Sequence, residues 1–339
     1  MTSWQANRKV TLLLQDLQRL AQSLGRDQRS PALELLLSRG RHFRARAQSP
    51  DHFRFGLFGV ETDGELPIAA LTRASDNPQK TAAHQFWLRT DPVTMWADMA
   101  RVVMTSHGFA DLTEFERNEI ENTVRSVLLE EGIHLHADHT ERWCIALGEP
   151  LGFSFAPLEQ ALGVDMAEVM PEQPESLHWR RIMNEIQIAL HSCPVNVRRR
   201  QFGQQEINSV WFWGGGFIPE ASRHGHFDTV YSDNPVSRGL GVINDCRLKT
   251  QNDANATDFR SDGQSVLLDW SSGQRDPFRE LKSLEMLAKR LLVRVRSDEL
   301  DLVIYCGKRN GWKYNRKAGR RFWLRIKSLS EICLSRFPE

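Results

Sequence analysis

The chain has 339 residues, 40% of them hydrophobic, and a formal net charge of +1 at pH 7. That is enough for one large α/β domain with an insertion, or for two domains, and the balanced charge gives no global pull toward nucleic acid or a membrane surface. No apolar run approaches the roughly 18 residues that cross a bilayer, MTSWQANRKV lacks the apolar core of a secretory leader, and the five scattered cysteines form no C-x-x-C pair, which together argue against membrane, secreted and zinc-thiolate classes and for a cytoplasmic protein.

In chain order, Lys9–Leu14 is a continuous apolar run that predicts a buried strand. Ser30-Pro31 predicts a helix start, with Ala32–Ser38 the helix and Gly40 its stop. Phe53–Val60 and Leu66–Leu71 are apolar stretches parted by a turn at Thr62-Asp63-Gly64, and Asp91-Pro92 biases the chain after Trp87-Leu88-Arg89 toward extended backbone. Leu112–Glu131 gives the clearest helix, with Thr113 and Glu116 spaced as a capping box and Phe115, Ile120, Val124, Val127 and Leu128 at helical spacing. Arg142–Leu147 predicts a strand, Glu168–Ser176 a loop, and Trp179–His191 a helix ended by Cys193-Pro194. Ser209–Trp213 reads as a strand running into Gly214-Gly215-Gly216, and Ser265–Trp270, Pro277–Arg296 and Leu300–Tyr305 read as strand, helix and strand. Strand–helix–strand alternation at both ends predicts a mostly parallel sheet flanked by helices, with a separate α+β unit in the middle.

One stretch carries more information. Pro194-Val195-Asn196, the basic cluster Arg198–Arg200, Asn208 and Trp211-x-Trp213-Gly214-x-Gly216 occur in fixed order. This resembles the H-P-V-N … A-N-x-I-W-L-W-G-x-G segment of archaeal-type cofactor-independent phosphoglycerate mutases, members of the alkaline phosphatase superfamily. It is more similar still to a bacterial group of phosphoglycerate-mutase-like regulatory proteins with W-x-W-G-G-G. Val10–Asp16, Ser30–Gly40, Gln48–Val60, Phe109–Leu147 and Ser265–Glu285 resemble further segments in the expected order, so the likeness spans nearly the whole chain. It implies an α/β fold, an alkaline-phosphatase-like three-layer sandwich with a mostly parallel sheet. Residues 1–86 and 151–339 would form its core domain, and 87–150 a small inserted α+β domain. It also implies ligand-binding roles for Arg142, Asn196, Arg199, Asn208, Gly214 and Gly216.

Such enzymes attack phosphorus with a hydroxyl activated by two divalent cations, held by aspartates and histidines on several loops. This sequence departs where that chemistry is made. Pro50 stands at the nucleophile position, with Ser49 one residue away, and Cys306-Gly307-Lys308 stands where the family places an Asp-His ligand pair. Trp270-Ser271-Ser272 follows Asp269 in place of an acid-rich run. Asp16, Asp51 and Asp269 are then relics of a metal set. The resemblance implies a non-catalytic regulatory or ligand-binding protein with no resident cofactor, whose ligand is a phosphorylated small molecule. The alternative is a phosphomutase or phosphatase that uses Ser49 with a rearranged pair of Mn, Mg or Zn ions.

Other features leave two readings each. Gly214–Gly216 would either cradle an anion through backbone N–H groups or allow a close backbone crossing. Arg198–Arg200 would clamp phosphate or form a solvated run. His134, His136 and His139 with Asp138 would hold zinc or be incidental, as would His224 and His226. The segment Lys308–Lys327 has nine Lys/Arg and no acid, interleaved with Trp312, Tyr314, Phe322 and Trp323. It would present a nucleic-acid or protein partner surface, or form a hairpin with its aromatics packed inward.

Overall fold

Val10, Thr11, Leu12, Leu13 and Leu14 are each at most 2% exposed, so the first strand is covered on both faces, and this is why it reads as an unbroken apolar run. The computed structural model describes residues 8–24, 28–45, 47–61, 64–107, 111–222, 227–256, 259, 263–271, 276–307 and 309–336. The predicted turn residues Thr62 and Asp63, with His224, His226, Ser272 and Lys308, lie outside them.

Contacts divide the chain into two compact units, Met1–Glu61 with Glu220–Glu339, and Thr62–Pro219. The first unit begins with β1 (Arg8–Leu14), α1 (Leu17–Leu24), α2 (Pro31–Arg39), β2 (Arg41–Arg44) and α3 (Pro50–Phe58). The second contributes α4 (Ile68–Asp76), β3 (Phe86–Ala97), β4 (Val102–His107), α5 (Glu114–Glu130), β5 (Leu135–His136) and β6 (Cys144–Leu147). It continues with α6 (Leu158–Ala161), α7 (Met166–Val169), α8 (Ser176–Ser192), α9 (Pro194–Gln201) and β7 (Ser209–Gly216). The chain then completes the first unit with β8 (Thr229–Ser232), α10 (Pro235–Ile243), β9 (Arg247–Lys249), β10 (Ser265–Trp270) and α11 (Pro277–Arg296). Last come β11 (Leu300–Cys306), β12 (Asn310–Tyr314), α12 (Arg316–Gly319) and α13 (Leu329–Arg336).

In the first unit the strand order is β2-β12-β11-β1-β10-β8-β9. β11, β1, β10, β8 and β9 run parallel, while β12 is antiparallel to both its neighbours. Val10, Leu12, Leu14, Leu268 and Ile304 join Leu33, Leu36, Leu284, Leu287 and Leu291 of α2 and α11 in one core. Alternation sends Tyr305 to the opposite face from Ile304. There it meets Phe53 of α3 edge to face at 4.7 Å. The sheet is therefore mostly parallel and covered by helices on both sides, as the sequence implied.

The second unit is an antiparallel sheet, β4-β3-β6-β5, with β7 also paired to β3. Pro92 falls between the part of β3 paired to β6 (86–89) and the part paired to β4 (93–97), where a missing N–H costs the ladder least, so the strand runs straight through Asp91-Pro92. This unit is wider than the 87–150 segment expected from sequence. The reason is pairing: β3 takes β7 as a partner from Trp87↔Gly216 to Val93↔Ser209, and Ala69 and Ala70 of α4 pack with Trp87 and Cys144. The predicted helix over 112–131 is α5, with both halves of its capping box formed, although Phe115 is 58% exposed rather than on the buried face. Pro194 opens a further helix at its first position instead of only ending the previous one. In the basic tail Trp312 and Tyr314 are buried, whereas Phe322 and Trp323 are 79% and 68% exposed. Among the described residues no helix is long and apolar enough to cross a membrane.

Candidate functional site

The C-terminal ends of the parallel strands are where an open α/β sheet leaves room for a ligand. Asp269 lies at that end of β10 and is fully buried. Far from it in sequence, α3 starts with Ser49 as N-cap and Pro50 at its first position, and Gly59 closes it in the left-handed conformation (φ 66°). Helical spacing puts Asp51 and Arg54 on one face. Arg54, 4% exposed, donates from Nε to Asp269 Oδ2 (2.9 Å), from Nη2 to Asp269 Oδ1 (3.3 Å) and from Nη1 to Asp51 Oδ1 (2.9 Å). Ser237 adds its hydroxyl to Asp269 Oδ2 at 2.5 Å. Burial works against the guanidinium charge, but Asp269 and then Asp51 outweigh it, and the pKa of Arg54 is raised.

Two of the three aspartates expected as metal relics are thus bridged by an arginine of the same chain. The third, Asp16, lies 3.8 Å from Arg19. A pair of dications does not fit these residues: a guanidinium takes up both oxygens of Asp269, and among the described residues no three His, Cys, Asp or Glu side chains converge as ligands. Cys306 offers no thiolate, since complete burial pushes its pKa well above the ordinary value. Ser49 Oγ accepts the backbone N–H of His52 (3.2 Å) and lies 2.7 Å from His52 Nδ1, which is cap geometry.

Beside these residues the first unit has a cavity of about 540 Å³. Arg44 of β2, Arg309 at the β11–β12 turn and Arg336 of α13 line it together with Gln15, and among the described residues its lining contains no Asp or Glu. Asn310 ties its walls together: Oδ1 lies 2.9 Å from His42 Nε2 and Nδ2 donates to the Arg336 carbonyl at 2.9 Å.

The residues that the resemblance offered as ligand binders all lie in the second unit, and their polar atoms meet internal partners. Arg142 makes a bidentate pair with Asp76 (3.0 and 2.6 Å). Arg199, 1% exposed, reaches Asp111 (2.7 Å), Glu116 (3.2 Å) and the Gln205 carbonyl (2.6 Å), while Arg198 lies over the Phe115 ring and Arg200 pairs with Glu206. Asn196 is fully buried and bonds Leu190 and Ile207, and Asn208 closes a two-bond pair with the Met95 backbone. Gly214 and Gly216 are close crossings: a Cβ there would lie 3.0 Å from Ile68 Cβ and 2.5 Å from Pro67 Cβ. Gly215 N–H does hold an anion, the chain's own Glu65 at 3.1 Å. Desolvation raises the Glu65 pKa, against the pull of its backbone hydrogen bonds.

The histidine group does not converge either. Asp138 pairs with Arg73 and Asn77, His139 Nδ1 accepts the Glu141 N–H, and His136 meets Trp87 edge-on at 5.2 Å. Burial and the Arg73 charge lower the His136 pKa to about 4. Trp211 and Trp213, two residues apart on β7 and so on one face of it, donate to the Ala156 carbonyl and to Asp91 Oδ2.

No family model matches the chain. It is similar to the 2,3-bisphosphoglycerate-independent phosphoglycerate mutases of Methanosarcina mazei, at 23% identity over 230 residues, and Methanosarcina acetivorans, at 21% over 230 residues. Each match covers 63% of this chain and 56% of the relative, so it spans little more than half the length of these relatives. The fold is similar to that of the cofactor-independent phosphoglycerate mutase of Thermoplasma acidophilum, with a TM-score of 0.50 at 15% identity, covering 97% of this chain and 98% of that one. A protein of Pyrococcus horikoshii matches with a TM-score of 0.56 at 12% identity, over 91% and 87% of the two chains. The chain is a distant relative of the cofactor-independent mutases.

Within this phosphoglycerate-mutase-like chain, sequence reasoning missed two things. Arg54 stood in plain view as a charge between Phe53 and Phe55 inside an apolar run, a position that demands a buried anionic partner. The arginine cavity is assembled from three separate segments and leaves no local pattern.

Proposed function

We propose that this phosphoglycerate-mutase-like protein binds a phosphorylated small molecule in a regulatory role and does not carry out metal-dependent phosphoryl transfer. One observation supports this reading above the others: the Arg54 guanidinium spans Asp51 and Asp269, giving the two carboxylates a fixed cation in place of an exchangeable one. A bound dication lowers the pKa of an attacking hydroxyl and gathers phosphoryl oxygens, whereas a guanidinium whose donors already face carboxylates does neither. The test is incubation of the purified chain with 3-phosphoglycerate and Mn²⁺, with 2-phosphoglycerate as the readout. No sustained turnover is expected; turnover that disappears in Ser49→Ala would establish the competing enzyme reading, for which the Ser49–His52 contact is the support.

A second reading rests on Phe322 and Trp323, exposed beside Arg320, Arg321, Arg325 and Lys327. Exposed aromatics among cations suit single-stranded nucleic acid, whose bases stack and whose phosphates pair. Affinity for single-stranded RNA should then fall steeply with salt and drop in Trp323→Ala. A salt-insensitive or absent shift removes this reading.

A further inference from the structure

The cavity of the first unit differs from every other cationic cluster described above, because nothing anionic lines it among the described residues. Arg44, Arg309 and Arg336 converge on it, and among the described residues they carry no acidic partner. Gln15, also in its lining, has both amide atoms buried and neither is hydrogen-bonded. Buried amides without partners are rare in folded chains, and one in the wall of a polar cavity signals a missing ligand atom. Two helix ends also abut the space: Pro50 begins α3 and Arg336 ends α13. Their half-charges are opposite and offset, so the three guanidiniums set the field. The net charge of the whole chain, +1, conceals this local excess.

We infer that this cavity binds an organic diphosphate, held by the guanidiniums of Arg44, Arg309 and Arg336, with the Gln15 amide satisfied by a polar atom of the organic part. Charge sets the headgroup. A phosphate monoester brings about −1.5 to −2 at neutral pH, short of three cations, whereas a diphosphate comes close to matching them. Size sets the rest. A volume of about 540 Å³ lies within the range of roughly 300–1,000 Å³ used for drug-sized ligands and is far larger than one phosphate needs. Arginine suits the task because its planar fork pairs two phosphate oxygens at once. The Asn310 bonds to His42 and the Arg336 backbone hold the walls in place before a ligand arrives, so little ordering remains to oppose binding.

The inference deepens the ligand-binding reading above and rests on it, but not on the absence of turnover. The experiment is calorimetric titration of the full chain with ADP, inorganic pyrophosphate and orthophosphate. ADP and pyrophosphate should bind saturably at one site, orthophosphate at least about tenfold more weakly, and Kd should rise with salt. Arg44→Gln and Arg309→Gln should each weaken ADP about tenfold or more, the range of one charge-assisted bidentate contact. Gln15→Leu should weaken ADP and leave pyrophosphate unchanged, and Arg279→Ala, on an exposed face of α11, should change nothing. ADP and pyrophosphate affinities unaffected by Arg44→Gln and Arg309→Gln, or no binding at all, overturn the inference, as does a preference for single-stranded oligonucleotide over ADP. If 3-phosphoglycerate binds instead and ignores both substitutions, the cavity assignment falls while the ligand-binding reading survives. If mutase turnover appears with ADP binding intact, the reverse holds.

Discussion

The two units use arginine in opposite ways. In the second, Arg73, Arg89, Arg142 and Arg199 all end on carboxylates, three of them nearly or fully buried, and so serve the fold. In the first, Arg54 is committed in the same way, but Arg44, Arg309 and Arg336 face an open cavity. The lesson is that residue type and spacing do not decide whether an arginine binds a ligand. What decides is whether a carboxylate of the same chain reaches it first, and those partners lie far off in sequence: Arg199 meets residues 83 and 88 positions away, Arg142 one 66 away.

The sharpest way to break this comparison is Arg54→Ala. Removing one member of a buried ion pair strands the other, and the expected loss is about 3–5 kcal/mol in urea unfolding of the first unit. A loss below about 1 kcal/mol would mean that Asp269 is solvated in solution and that Arg54 does not replace a cation. Next in size is Asn196→Ala in the second unit, which strands the Leu190 and Ile207 carbonyls and the Ile207 N–H. A loss of about 1–3 kcal/mol with unchanged ADP binding is expected; weakened ADP binding would return Asn196 to the ligand site.

The smallest effect is a pH dependence confined to the second unit. His136 titrates at about 4 when folded, against its ordinary 6.5, because burial and Arg73 disfavour its charged form. Between those values the unfolded chain takes up a proton that the folded chain refuses, so stability falls as pH drops from about 6.5 to 4 and is flat above. The side chain is only half-buried, which keeps the slope shallow. His136→Phe should lessen the acid sensitivity of thermal unfolding in that window; an unchanged profile would assign it to other groups.

Much of the fold was legible in the sequence. Strands covered on both faces read as apolar runs, and the Thr113–Glu116 box and the prolines at Pro31 and Pro277 marked helix starts through local backbone chemistry. The domain limits were less legible, because the β3–β7 pairing joins residues more than a hundred positions apart and nothing local encodes it. The candidate site was legible only in part. Pro50 and Cys306-Gly307 stand where the resembled family has a nucleophile and metal ligands, and that departure was visible in the sequence. The arginine cavity depends on β2, the β11–β12 turn and α13 meeting in space, and Arg44, Arg309 and Arg336 look like ordinary surface cations one by one.

The outermost strands of the seven-stranded sheet carry one further consequence. β2 has four residues and β9 three, with Arg41 and Arg44 at the ends of one and Arg247 and Lys249 at the ends of the other. An incoming strand would find a short ladder flanked by like charges, too little to template cross-chain pairing. A large parallel sheet, slow to assemble and dangerous while half-formed, is thereby guarded against polymerising through its margins.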